Sequence, residues 1–392
     1  MSGCQADPSI QRVEMGDLRF PLGVYPVEPM KPRQGYSVLF EAADGDDESG
    51  EWEAWPDRYV YDIVITADRL PALCRSLFSL LPTRIYPILD VIGHDAFREI
   101  DPYISWDLIG LDQLLDAVAR YHDFFYEDGM CGFGAMLDDP FLYVFVDEHK
   151  IVTVRAEPEL QPRVERVLHA FDLEMIEEPA GSDAAAHEHR SVLLAPDDNP
   201  SLLNGDEVVE SLRDEWRLSL NVDPDLNVDD DGRDLGVTGW RCLVRVLLEP
   251  DARPHYAEVL LLALSLTQAE QTAYEAAADE ADRQRPRATP SSPAQGTTRA
   301  PATNHPEPAS AEAVSAGPTG SGQDANEPVG ADQGKRDESQ EDGQADEFEP
   351  MLIIVSADRL EPEEFAKAIR SGARSSRPPE PRAGEVCRLR WS

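Results

Sequence analysis

The sequence predicts an α+β protein: two small units with mostly antiparallel sheets, a long disordered linker, and a short C-terminal β-α segment that docks back onto the folded body. Short runs of β-branched and aromatic residues alternate with amphipathic runs at helical spacing. The connections between successive strand-like runs are short, which favours antiparallel neighbours. Residues 283–347 contain almost no large apolar side chains and are rich in Pro, Gly, Ser and Ala, a composition typical of disorder.

The first folded unit is predicted over residues 59–180, after an N-terminal acidic and proline-rich segment (1–58) with one strand at 36–40. Pro71 suits the first turn of a helix, and Pro82 follows the expected end of that helix. Pro87 cannot donate to a β-ladder, so it predicts an edge position or a bulge. Strands are predicted at 59–66, 84–92, 132–137, 141–146 and 151–155, and helices at 70–81, 111–125 and 160–171.

The second unit is predicted over residues 190–282 and is followed by the linker (283–347) and the C-terminal segment (348–392). Thr267 and Glu270 have the spacing of a capping box, which predicts a helix running to residue 282. Strands are predicted at 191–195, 217–222, 240–248 and 257–266, with a helix at 206–215. The C-terminal segment is too short to hold a core alone, so strands at 351–356 and 386–391 are expected to join an existing sheet.

One short sequence occurs twice. Ala67-Asp68-Arg69-Leu70 follows an apolar run and precedes a proline, and the same four residues recur at positions 357–360. Both copies predict a strand-to-helix corner in which Thr, Ser or Asp caps the free amides. Chance similarity at one corner and duplication of a small β-α unit are both open explanations.

The composition is strongly acidic, with 76 Asp and Glu against 35 Lys and Arg and a net charge of −41. Most of the excess lies in residues 1–280. Such a surface repels nucleic acid and anionic lipid and favours a cationic partner, a basic protein or peptide. The expected function is a non-enzymatic protein-interaction module, and an enzyme without a local sequence signature is an alternative.

Cysteine usage and hydropathy bear on the compartment. The five cysteines are scattered without a C-x-x-C pair, which argues against a disulfide framework or a structural zinc site and favours a reducing cytoplasm. No apolar run approaches the roughly 18–20 residues that span a bilayer. A cytoplasmic location is therefore expected.

An acidic loop gives the strongest local indication of a ligand. Alternating side-chain oxygens can surround a hard cation, and part of the loop matches the first half of an EF-hand. Thr238 stands where an EF-hand has its bidentate Glu, and a strand is expected to follow rather than a helix. The alternatives are an acidic surface hairpin and a weak calcium site, whose ligands would be Asp223, Asp225, Asn227, Asp229 and Asp231.

Transition-metal binding and nucleophilic catalysis are not expected from the sequence. His187-Glu188-His189 can supply two ligands from one strand face, but it lies in an Ala-rich run interpreted as a mobile linker. No H-E-x-x-H, G-x-S-x-G, Walker A or kinase signature is present. Four tryptophans beside predicted elements are expected to anchor cores: Trp106, Trp216, Trp240 and Trp391.

Overall fold

The fold is the α+β architecture with antiparallel sheets that the sequence predicts. The computed structural model describes residues 3–43, 55–194, 199, 201–229, 231–249, 253–284, 349–370 and 382–392. The acidic run at 44–48 and the predicted linker from residue 285 to 347 lie outside the described residues.

The strands and helices are numbered here in chain order. The strands are β1 (Glu14–Met15), β2 (Leu18–Arg19), β3 (Val24–Pro26), β4 (Gly35–Glu41), β5 (Arg58–Val64), β6 (Arg84–Ile92), β7 (Ile100–Ile104), β8 (Ile109–Gly110), β9 (Cys131–Asp138), β10 (Phe141–Val146), β11 (Val152–Ala156), β12 (His187–His189), β13 (Ser219–Leu220), β14 (Thr238–Leu247), β15 (His255–Ala263), β16 (Met351–Leu360) and β17 (Glu385–Trp391). The helices are α1 (Leu70–Phe78), α2 (Leu111–Arg120), α3 (His122–Tyr126), α4 (Gln161–Ala170), α5 (Gly205–Trp216), α6 (Leu266–Gln284) and α7 (Pro362–Arg370), with 3₁₀ turns at Pro158–Leu160 and Ser182–Ala184.

The larger sheet has the order β13-β7-β6-β9-β10-β11-β5-β4, with β8 also paired to β6. Alternate residues of β11 and of the first part of β6 are buried, as in a sheet with one covered face, whereas the first five residues of β9 are all buried. These residues and the apolar faces of α1 to α5 form one continuous core. The predicted helix at 111–125 is two helices, because the backbone leaves the helical region at Tyr121 (φ −107°).

Pro87 lies on a central strand rather than at an edge. It pairs with Ala135 of β9 on one side of β6. On the other side, the β8 ladder ends at Ile85 and the β7 ladder begins at Ile88. Pro87 therefore lies in a gap between two ladders, where its missing N–H group leaves no hydrogen bond unmade.

Residues 205–220 belong to the larger core, although the sequence groups them with the second unit. Strand β13 pairs with β7, and helix α5 buries Trp216 against Phe125 with nearly parallel rings 5.9 Å apart. Trp216 and Trp240 are core anchors as expected, but Trp106 is 74% exposed. Near the predicted strand at 191–195, the described residues form only a bridge from Leu193 to Ala6.

The second sheet has the order β16-β14-β15-β17, so the C-terminal segment supplies both of its edge strands. The predicted docking of this segment is thereby confirmed. Helix α6 covers one face through alanines spaced four residues apart, which permits close approach: Ala269, Ala273, Ala277 and Ala281. Phe365 of α7 covers part of the other face, where a Cβ on Gly239 would lie 2.4 Å from its ring.

Helix α6 begins one residue earlier than predicted and uses a different cap. The Ser265 hydroxyl accepts a hydrogen bond from the Gln268 amide (3.2 Å), and the Gln268 side chain accepts one from the Leu264 amide (2.8 Å). This is a reciprocal cap of the capping-box kind. Thr267 instead donates its hydroxyl to the Asp225 carboxylate (2.8 Å), which ties the helix to the acidic loop.

The repeated Ala-Asp-Arg-Leu sequence has two conformations. In the first copy, Asp68 and Arg69 form the turn that enters α1, and the Asp68 carboxylate lies at the surface beside Arg19. In the second copy the four residues remain in strand β16 and the helix starts only at Pro362. The shared corner predicted for both copies is therefore wrong, because in the second copy tertiary pairing extends the strand through the repeat.

Arg359, from the second copy, links three parts of the chain. Its guanidinium and backbone amide donate to both oxygens of Asp95 at 2.9 to 3.0 Å. The same guanidinium donates to the side chain of Asn227 (3.3 Å) and to the carbonyl of Val228. Arg359 and Asp95 are almost fully buried, so this bidentate pair joins the C-terminal segment, the β6–β7 connection and the acidic loop.

We expect Arg359→Met to lower the free energy of unfolding by about 3–5 kcal/mol, because it removes the bidentate partner of the buried Asp95 carboxylate and leaves it with Arg98 at 3.9 Å. Urea denaturation measures the change. The double variant Asp95→Leu/Arg359→Met should regain part of the loss, since both charges are then gone. The matched control is Arg217→Met, whose partner Asp107 is 3.1 Å away and largely exposed. That change should cost less than about 1 kcal/mol. Equal losses in the two single variants would contradict the assignment.

Asp90 carries a carboxyl on the face of the larger sheet that points away from the helices, since its neighbour Leu89 lies in the core. Burial, with a smaller contribution from Glu148, raises the pKa of Asp90 to about 6. The ionised form is thus penalised in the folded state. At a pH below the ordinary carboxyl pKa both states are protonated and the penalty vanishes. As the pH rises through about 6 the penalty is complete.

Asp90→Asn should therefore raise the free energy of unfolding at pH 8 by about 1–3 kcal/mol, and much less at pH 4.5. Urea denaturation at the two pH values gives the difference. Asp62→Asn, at an exposed position on strand β5, serves as the control and should show no comparable pH-dependent gain. A gain from Asp90→Asn that is equal at both pH values would show that ionisation of Asp90 is not its cause.

Candidate metal centre

The candidate metal centre consists of three histidines, two of which come from strand β12. Successive side chains of a strand point to opposite faces, so His187 and His189 share one face and Glu188 takes the other. Strand β12 pairs with β3, and the Glu188 carboxylate accepts a hydrogen bond from the Tyr25 hydroxyl (2.7 Å) across that pair. The H-x-H sequence is therefore held in a fixed register rather than in the mobile linker that the sequence suggested.

The third histidine, His149, comes from the tight turn between β10 and β11. Asp147 closes this turn, because its carboxylate accepts from the Ile151 amide (2.8 Å) and its carbonyl accepts from the Lys150 amide (3.0 Å). Lys150 adopts a left-handed backbone (φ 63°) and buries its side chain, donating to the carbonyl of Cys131. Because Asp147 and Lys150 are fixed in this way, the turn holds His149 toward β12.

The three imidazoles converge. The ring centroid of His149 lies 4.7 Å from that of His187 and 4.9 Å from that of His189, and the latter two are 5.1 Å apart. The Nε2 atoms of His149 and His187 are 3.0 Å apart. One nitrogen from each ring falls within 4.8 Å of the other two, and all three residues are half-buried.

The hydrogen bonds of two rings fix their tautomers. Nδ1 of His187 lies 2.8 Å from the Ala185 carbonyl, and Nδ1 of His189 lies 2.8 Å from the Gly129 carbonyl. A carbonyl oxygen only accepts, so each Nδ1 carries the proton. Each neutral ring is then left with an Nε2 lone pair, which is the group that coordinates a metal ion. Backbone carbonyls on the distal ring nitrogen are the usual second contact of metal-bound histidine.

His149 differs from the other two histidines, because carboxylates rather than a backbone carbonyl lie near its Nδ1. Its Nδ1 lies 3.3 Å from Glu148 Oε1 and 3.6 Å from Asp147 Oδ2. Burial lowers the pKa of His149, but the nearby Asp147, Glu148 and Asp183 outweigh it, so its pKa is raised. Burial lowers the pKa of His189. Without metal, a protonated His149 can donate from Nε2 to His187, and a metal ion would take the place of that proton.

The Gly129 carbonyl, which orients His189, is held in place by the close approach of Gly129 to Gly23. The Gly129 amide donates to the Arg190 carbonyl (3.1 Å), and the Arg190 amide donates to the Gly23 carbonyl (2.8 Å). A Cβ on Gly129 would lie 2.0 Å from the Gly23 oxygen, so only glycine fits. The centre thus joins the N-terminal segment, the α3–β9 connection and the β10–β11 turn.

The residues of the predicted calcium loop direct their side chains to the loop itself and to its neighbours. The Asp229 carboxylate accepts from the amides of Asp231 and Arg233, and Asp231 pairs with the Arg233 guanidinium (2.9 Å). Asp223 accepts from the amide of Asp225.

Asn227 is buried and donates to the carbonyl of Gly236 and the hydroxyl of Thr238, while its own oxygen accepts from Arg359. In the described part of the chain, two groups of three converging ligand atoms occur, and neither includes a residue of this loop. Asp230 lies outside that part. Calcium binding by Asp223, Asp225, Asn227, Asp229 and Asp231 stays a prediction.

Sequence reasoning missed the histidine centre because its third member is 38 residues from His187. The available signal was the alternation in His187-Glu188-His189, which places two imidazoles on one face of any strand. Nothing local to the Asp147-Glu148-His149-Lys150 turn indicated that it would meet that strand.

Comparison with known proteins gives no relative from which a function can be transferred. The chain matches no family model, no curated protein and no solved structure. Among the described residues, every helix is too short or too polar to cross a membrane. The function must therefore be argued from the geometry of the chain's own residues.

Proposed function

We propose that the protein binds a divalent transition-metal ion, zinc above all, through the Nε2 atoms of His149, His187 and His189. The observation that carries this proposal is the pair of hydrogen bonds from His187 and His189 to backbone carbonyls. They leave two Nε2 lone pairs facing a third imidazole, which is a ligand arrangement and not a requirement of core packing.

The chemistry of the donors favours zinc over calcium or magnesium. Imidazole nitrogens suit zinc, copper, nickel and iron, whereas calcium and magnesium require oxygen ligands. Zinc–nitrogen bonds of about 2.0–2.1 Å in a tetrahedral site put neighbouring nitrogens about 3.4 Å apart. The Nε2 atoms of His149 and His187 are 3.0 Å apart and the whole set falls within 4.8 Å, so small side-chain movements suffice.

Such an ion would act first as a clamp. It would bind strand β12, and through it β3, to the β10–β11 turn of the larger sheet. Three histidines leave one tetrahedral position for solvent or an incoming group, which is the composition of catalytic rather than closed structural zinc sites. The alternative of an enzyme without a local motif gains support from this composition. The interaction module with a basic partner stays a prediction from charge.

Isothermal titration of EDTA-treated protein with zinc, in millimolar magnesium to saturate the acidic surface, should give one site. His187→Ala or His189→Ala should weaken binding at least about tenfold, since each removes one of three ligands. Cobalt(II) titration should give the visible bands of a tetrahedral ion in the wild type and lose them in both variants.

The matched control is His169→Ala, because His169 is exposed in the last turn of α4 and away from the centre. It should bind zinc as the wild type does. A bound ion should also raise the melting temperature, by the equivalent of about 2.7 kcal/mol at a hundredfold excess over Kd. If His187→Ala, His189→Ala and His169→Ala all bind zinc like the wild type, the ion is held elsewhere and the proposal fails.

A further inference from the structure

A cavity of about 330 Å³ lies where the two sheets meet, and its lining contains none of the three histidines of the candidate metal centre. The end of β6, strand β7 and helix α5 form one side, and β14, β15 and β16 form the other. The volume is in the range of small-molecule sites, about 300–1,000 Å³. Part of the wall is aliphatic, with Val91, Val209, Leu243 and Val355 exposed to the cavity.

Several charged groups of the lining are already neutralised. Asp101 forms an ion pair with Arg98, Glu210 with Arg245, and Asp206 lies 3.9 Å from His94. These carboxylates already have basic partners within the walls. The remaining charged groups of the lining form no ion pair with the residues that the structure describes.

Asp358 and Arg241 are two such groups, and they are direct cross-strand neighbours on β16 and β14. Asp358 is 95% buried, and its carboxylate accepts a hydrogen bond from the Ser356 hydroxyl but forms no ion pair with any described residue. The Arg241 guanidinium likewise has no hydrogen bond or ion pair with the residues that the structure describes. A buried carboxylate normally has a charged partner, and Arg241 lies opposite Asp358 in the sheet without forming an ion pair with it, so both groups can contact a ligand in the cavity.

A second guanidinium and a second carboxylate border the same space. Arg213 lies against the Tyr103 ring, 5.1 Å from its centroid, and donates to the Val355 carbonyl. Glu258 lies opposite Leu243 in the sheet, one row from Arg241. The unpaired lining therefore carries both signs in equal number, which suits neither a simple cation nor a simple anion.

We propose that this cavity binds a small zwitterion, a free aliphatic α-amino acid. Its carboxylate would accept from Arg241 and Arg213, its ammonium group would donate to Asp358 and Glu258, and its side chain would contact Val91, Val209 and Leu243. Arginine recognises carboxylates through its planar set of donors, and a buried carboxylate is the strongest acceptor for an ammonium group. The zwitterion has no net charge, so the strongly negative protein does not repel it as a whole.

The test is isothermal titration of EDTA-treated protein with L-leucine, L-leucinamide and N-acetyl-L-leucine. The amide lacks the carboxylate and the acetyl compound lacks the ammonium group. Only L-leucine is expected to bind at one site. Binding of leucinamide with equal affinity would define a cation site and overturn the proposal. Absence of binding by L-leucine and by the other free aliphatic amino acids would overturn it as well.

Two variants locate the site. Arg241→Gln should weaken L-leucine binding about ten- to hundredfold, the loss expected for one charged hydrogen-bonding partner. Glu258→Gln should weaken it less, and it avoids any effect on the buried Asp358 beside Arg359. Arg217→Gln is the matched control, since Arg217 pairs only with the exposed Asp107, and it should bind like the wild type. Unchanged binding in Arg241→Gln would overturn the assignment of the cavity.

The two sites are experimentally separable. His187→Ala, which removes a proposed zinc ligand, should bind L-leucine as the wild type does, and Arg241→Gln should bind zinc as the wild type does. Loss of L-leucine binding in His187→Ala would overturn the independence of the cavity from the histidine centre.

Discussion

The buried ion pair between Arg359 and Asp95 is the contact on which the arrangement of the two sheets depends. A guanidinium has five donors in one plane, and removing it from water is unfavourable unless nearly all of them find acceptors. Asp95 of the β6–β7 connection supplies acceptors on one side, and Asn227 and the Val228 carbonyl of the acidic loop supply the others. Because any misplacement would leave a buried charge unmatched, the pair selects one relative position of the C-terminal strand, the β6–β7 connection and the acidic loop.

Two features of the molecule follow from that selection. Strand β16 places Arg359 on the side of Trp240 and, by alternation, Asp358 on the opposite face beside Arg241. The contact that secures the second sheet therefore also brings an unpaired carboxylate into the cavity between the sheets. The same contact uses the oxygen of Asn227, one of the loop oxygens that the sequence offered to calcium. A contact of the fold thus occupies one of the side chains that the sequence predicts as a calcium ligand.

Local sequence patterns predicted most strands and helices, because these elements depend largely on residues close together in the chain. Strand β6 was predicted at its observed bounds, and the C-terminal strands were expected to join a sheet because 45 residues cannot form a core alone.

The predictions that failed did so because of contacts between residues far apart in the chain. Trp216 packs on Phe125 of the larger core, which no local pattern encodes. The Ala-Asp-Arg-Leu repeat has two conformations because the second copy stays paired in β16, where Arg359 has a buried partner, whereas Arg69 precedes α1 and donates to the Phe171 carbonyl. Two of the three histidines of the centre were visible in the sequence as H-x-H, and the third, His149, is brought to them only by the fold.

The negative charge of the chain makes ligand selectivity a matter of local chemistry. With a net charge of −41, the whole surface attracts divalent cations without distinguishing among them. A donor other than carboxylate would distinguish a transition-metal ion from calcium and magnesium, and the three imidazoles of the proposed zinc site are such a donor. A ligand of the cavity that carries a carboxylate meets the opposite effect, because the negative electrostatic field of the protein repels that carboxylate. A group such as Arg241, unpaired in the described structure and beside an equally unpaired Asp358, offsets that field only at close range. Both proposed sites thus depend on the few residues that depart from the protein's prevailing acidity.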